Sequence, residues 1–130
     1  MSFAKKIASL VAETVASPLE NSYVFDQGGN TVVLRSRGDH AGADLSGLDL
    51  SGVKLEQANL ENANLTGANL SGAHLEGANL IGAKFSGTIL TGTHLKDAKI
   101  EIESLQNAVF DVAPAGLSAE DLVSLKMRAR

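Results

Sequence analysis

From Ala43 onward the large apolar residues fall at every fifth position. Leu45, Leu50, Leu55, Leu60, Leu65, Leu70, Leu75, Leu80, Phe85, Leu90, Leu95, Ile100, Leu105 and Phe110 are the centres of fourteen consecutive five-residue cassettes over residues 43–112. The first position of each cassette is small or aliphatic in thirteen of them, Glu103 being the exception. The other three positions are mostly polar, and the fifth is Gly in eight cassettes and Asn in two. A helix repeats its faces every ~3.6 residues and a strand every 2, so a period of five fits neither. A backbone that turns a corner every five residues fits it, with first and third positions pointing inward and the rest outward. Four such corners close a square coil of twenty residues. Gly and Asn at the fifth place suit a corner that needs a permissive backbone. Ala suits the first place because the large centres leave little room between them.

The cassettes ANLEN, ANLTG, ANLSG and ANLIG carry a further signature. With them the chain resembles the pentapeptide-repeat family, whose motif is A-D/N-L-x-x. The resemblance covers residues 43–112. It implies an all-β solenoid, a right-handed quadrilateral β-helix of about 3.5 coils. At a strand spacing of ~4.8 Å that rod is about 17 Å long, short for the family. Coils in such a rod stabilise one another, and the two ends need caps.

The flanks read as those caps, which divides the chain into residues 1–42, an N-terminal helix and hairpin; 43–112, the repeat; and 113–130, a C-terminal helical cap. Residues 1–17 superficially resemble a signal peptide, but Glu13 interrupts the apolar stretch. Phe3, Ile7 and Leu10 instead share one face of a helix over residues 3–16. Without export, the protein is expected in the cytoplasm. Tyr23–Phe25 and Thr31–Leu34, separated by a turn with two glycines, read as a β-hairpin. His40 stands where a Leu would sit in a degenerate opening cassette, a polar residue at the mouth of the coil. At the other end Ser118 and Asp121 have the spacing of a capping box ahead of a helix over about 119–128. Members of the family often dimerise through C-terminal elements, so this segment either caps the last coil or packs on a second copy.

Composition narrows the function classes. The 130 residues contain no Cys and no Trp, which excludes disulfides and thiolate chemistry. The net charge of −4 argues against a direct grip on nucleic acid, and no apolar run approaches the ~18 residues of a membrane span. Residues twenty apart lie on one face of the coil, so the outside reads in columns. Glu56, Glu61, Glu76 and Glu101 fall on adjacent faces and make an acidic surface. The resemblance implies that such acidity can imitate DNA toward a type II topoisomerase such as gyrase, although lysines interrupt it and the rod is short. Lys54, His74 and His94 form a second column, in which two imidazoles one coil apart could share a metal. An exposed polar ladder is the preferred reading of the column, and no metal or cofactor is expected. Ile89 and Val109 form an outward apolar column, with Ile81 on a neighbouring face, and either the chain's own tail or a partner is expected to cover them. No nucleophile, base and orienting acid are spaced for catalysis. The sequence therefore predicts a non-enzymatic interaction or assembly module that docks on a larger protein complex through Phe3, Ile7, Leu10, Ile81, Ile89 and Val109. The topoisomerase-directed DNA mimic is the alternative.

Overall fold

The computed structural model describes residues 22–110, 114–118 and 120–121. The expected N-terminal helix with Phe3, Ile7 and Leu10, the C-terminal helix beyond Asp121, and any dimer contact made by it lie outside the described residues.

The hairpin forms where the sequence places it. Strand β1 (Ser22–Gln27) pairs antiparallel with β2 (Asn30–Arg35), Gln27 lying opposite Asn30. Gly28 and Gly29 close the turn with φ of +61° and +90°. Positive φ at both central residues gives a two-residue turn whose twist matches that of the strands. Asp26 Oδ1 accepts the Gly29 N–H at 3.1 Å.

Beyond the hairpin the chain winds into a four-sided coil. Parallel bridges join residues twenty apart in four columns: Asp39–Asn59–Asn79–Lys99, Asp44–Asn64–Lys84, Asp49–Asn69–Ile89–Val109 and Lys54–His74–His94. Each bridge is a short exchange of backbone bonds. The Leu45 N–H donates to Asn64 O at 2.8 Å, and the Asn64 N–H donates to Ala43 O at 2.9 Å. At the corners, the fifth-position residues from Gly42 to Asp97 have φ of +60° to +76°. Gln57, Asn62 and Asp97 hold this left-handed conformation against their own Cβ. Asp97→Gly is accordingly expected to stabilise the protein by about 1 kcal/mol, read as a higher urea midpoint.

The interior is filled as the pattern requires. Thirteen of the fourteen expected centres are buried, and Ile100, at the end of its column, is half-buried. Between them sit Ala58, Ala63, Ala68, Ala73, Ala78 and Ala83. Thr88 and Thr93 take the same inward place with no exposure. Their hydroxyls donate to Leu65 O at 2.6 Å and Leu70 O at 2.7 Å, so neither buried polar group is left without a partner. Phe25 and Leu34 of the hairpin join this core.

The two ends depart from the regular period. Pairing begins before Ala43, with the Arg37 N–H on Glu56 O and Asp39 bridged to Asn59. His40 takes a centre position, half-buried, and its Nε2 lies 3.1 Å from Arg35 N and 3.2 Å from Arg35 O. The hairpin's side chains bond backbone groups of the first coil, which among the described residues has no full coil beneath it. Tyr23 Oη accepts the Lys54 N–H at 3.2 Å, and Gln27 Nε2 donates to Ser46 O at 2.6 Å. Near the other end, the period puts Glu103 at an inward position, but the coil departs from its period there and leaves Glu103 exposed. A 3-10 turn over Ile102–Leu105 bulges the coil and lifts it out, because a lone carboxylate is costly to bury. The columns also continue past residue 112. Ala115, rather than residue 114, bridges His94, so one extra residue has been absorbed before it. The expected capping box is formed: Asp121 N–H donates to Ser118 Oγ and Ser118 N–H to Asp121 Oδ2, both at 3.0 Å. Among the described residues no helix is long and apolar enough to cross a membrane.

Candidate functional site

The outward second position explains which residues are free to do something other than build the coil. Where it is Asp or Asn, the side-chain Oδ1 accepts the backbone N–H two residues on. This holds for Asp44, Asp49, Asn59, Asn64, Asn69 and Asn79, at 3.0–3.2 Å. Such a bond closes the corner from the side chain, as Asx turns do. Sequence reasoning took these residues only as outward polar groups, although the recurrence of Asn two before Ser, Thr or Glu was the available signal. Asp44 is bonded twice. The Ser46 hydroxyl first, and the Ser46 N–H second, hold its carboxyl below the ordinary value of 3.8 against a small opposing effect of desolvation. A depressed pKa stabilises the fold above the unfolded value and is lost as pH falls through the folded one. In an NMR titration Asp44 is expected to have a midpoint below 3.8, and Ser46→Ala is expected to raise it toward that value.

Lys54, His74, Lys84, Ile89, His94, Lys99 and Val109 hold the same position and have no Asp or Asn oxygen to offer. Their side chains serve the surface rather than the corner. They segregate by face. Ile89 is half-buried and Val109 is 45% exposed, one coil apart on the column that begins Asp49–Asn69. His74 and His94 share the column that begins with Lys54. Ile81 is half-buried and stands in the fourth-position column between Glu61 and Glu101, so the coil does not join it to the Ile89 column.

A family model of pentapeptide repeats matches eight copies over residues 58–97. The matched segment, residues 58–97, is made of pentapeptide repeats. No curated protein sequence matches the chain. Among solved structures, a pentapeptide repeat protein from Nostoc is 28% identical, with 73% of this chain and 83% of that chain covered and a TM-score of 0.37. One from the Arabidopsis thaliana thylakoid lumen is 25% identical, covering 68% and 74% with a TM-score of 0.31. One from the cyanobacterium Cyanothece is 39% identical, covering 59% and 63% with a TM-score of 0.27.

The acidic surface of this pentapeptide-repeat coil is thin. Glu56 and Glu76 stack one coil apart, followed in the same column by Lys96. Glu56 Oε1 accepts the Ser36 hydroxyl at 3.0 Å, which uses one of its oxygens within the coil. Glu61 and Glu101 are separated by Ile81. Two coil steps rise about 10 Å, a length over which duplex DNA carries about six charges. The four glutamates, offset by Lys96, fall short of that density, so the geometry gives the DNA-mimic reading no support.

Proposed function

We propose that this chain is a non-enzymatic display module, a rigid pentapeptide-repeat coil that docks a protein partner on the face bearing Ile89 and Val109. The observation that carries the reading is the replacement of the corner-closing Asp and Asn by two stacked aliphatics on one face. Each substitution gives up a local hydrogen bond and places apolar surface outward, which is favourable when another surface covers it. The filled interior supports a role in display rather than chemistry, since the large side chains that could line a cleft are spent on the core. Phe3, Ile7 and Leu10 enter the proposal as a second contact on the same partner.

The test is affinity capture with Ile89→Asn and Val109→Asn. Asn is the residue that closes the equivalent corners at Asn59, Asn64, Asn69 and Asn79, so these variants are expected to fold at least as well as the parent. A partner recovered with the parent and with Glu56→Gln/Glu61→Gln, but lost with the Asn pair, is the expected result. Recovery of the same partners with the Asn pair would remove this face from the account. Removal of residues 1–17 tests the second contact in the same assay.

A further inference from the structure

His74 and His94 do more than share a column. Their rings stack with centroids 4.3 Å apart and planes within 2° of parallel. His74 Nδ1 lies 3.4 Å from Glu76 Oε2, and both side chains are about one-third exposed, 34% and 37%. The other carboxylate oxygen, Glu76 Oε1, is shut from solvent and has no hydrogen-bond partner among the described residues. One ligand atom from each of His74, Glu76 and His94 lies within 4.8 Å of the other two.

From this cluster we infer a binding site for a single divalent transition ion of the zinc class. Two imidazole nitrogens and one carboxylate oxygen are a donor set of the kind zinc takes, with a fourth position left to water. An N2O set discriminates against magnesium and calcium, which prefer oxygen alone. Zinc–ligand distances are about 2.0–2.2 Å, so ligand atoms around one ion sit roughly 3.3 Å apart. The three atoms therefore have to close by side-chain rotation only. His74 and His94 are anchored by their backbone bridge, while turning of the rings breaks their stack and aims the lone pairs at one point. The ion would also satisfy the orphaned side of Glu76. Lys54 lies one coil before His74 in its column and Lys96 one coil beyond Glu76. These two lysines offset Glu56 and Glu76 on the same face, so binding rests on directional coordination.

Because its ligands come from two successive coils, the ion would clamp one coil to the next and stabilise the fold by linkage. The experiment is titration of the tag-free full chain with zinc chloride by calorimetry, with thermal unfolding followed in parallel. Uptake of one ion per chain and a melting temperature that rises with zinc but not with magnesium are expected. Cobalt(II) in place of zinc is expected to give the visible absorption of a tetrahedral site. His74→Asn and His94→Asn place the corner-closing residue at each position and are expected to fold, yet each lowers zinc affinity by about tenfold or more. Glu76→Gln is expected to lower it less. A folded parent chain that takes up no zinc would overturn the proposal. So would a His74→Asn/His94→Asn double variant that binds zinc as tightly as the parent.

Discussion

Leu65→Asp is expected to abolish cooperative unfolding, while Leu65→Ala is expected to lower stability by about 3 kcal/mol. Leu65 is 1% exposed and belongs to the column of centres Leu45–Leu65–Phe85–Leu105, each of which is buried. Truncation to Ala leaves a cavity between two coils, and neighbours tied by backbone bonds on every side can relax into it only in part. Among the described residues no cation is buried to pair with a carboxylate at the same place. Its desolvation cost is several kcal/mol, comparable with the whole stability of a small domain. The neighbouring Thr66→Asp, at an exposed position, is expected to change stability by less than about 0.5 kcal/mol. Urea unfolding monitored by circular dichroism separates the three outcomes. A Leu65→Asp protein that melts like the parent would mean that the centres do not face inward.

The second large effect concerns length. Insertion of a copy of residues 58–77 after Gly77 adds one full coil and keeps every later residue in its column. The enlarged protein is expected to fold, with a higher urea midpoint and a steeper slope, because each coil gains from both neighbours and more surface is buried. Deletion of the single residue Thr66 is expected to prevent folding. The coil accommodates one extra residue before Ala115, but a side that is one residue short cannot reach the next corner. All centres downstream would then be drawn out of register. Size-exclusion chromatography and urea unfolding of the two variants check the asymmetry.

The coil was legible in the sequence because its period is enforced by the core: an inward place every fifth residue tolerates only Leu, Phe or Ile between the residues above and below. The hairpin was legible for the same kind of reason, since two glycines at positive φ and flanking β-branched residues admit few alternatives. The bulge at Glu103 was visible as a violation, yet the 3-10 turn that resolves it was not, because the period says where the coil must depart and not which turn it takes. The slip before Ala115 was hidden for a related reason. A five-step count cannot register the step of six between Val109 and Ala115. At the surface, the columns followed directly from the period, so His74 and His94 were already neighbours on paper. Their face-to-face stack and the orphaned oxygen of Glu76 depend on side-chain torsions, which the period leaves open. The corner-closing role of Asn and Asp lay in plain view as a spacing of two, and it decides how the departures at Ile89, Val109, His74 and His94 are read.

Residues twenty apart stand directly above one another, and the fold rests on this. The chain has no native cysteine, so paired cysteines test this without interference. A disulfide forms only when the two Cα atoms lie within about 7 Å. Asn64 and Lys84 are bridged across adjacent coils, whereas Asn64 and Asn79 stand on different columns. The measurement is the extent of disulfide formation in the folded protein for Asn64→Cys/Lys84→Cys against Asn64→Cys/Asn79→Cys. The account predicts near-complete closure of the first pair and closure of the second only after denaturation. Equal closure of both in the folded state, or preference for the second, would contradict it.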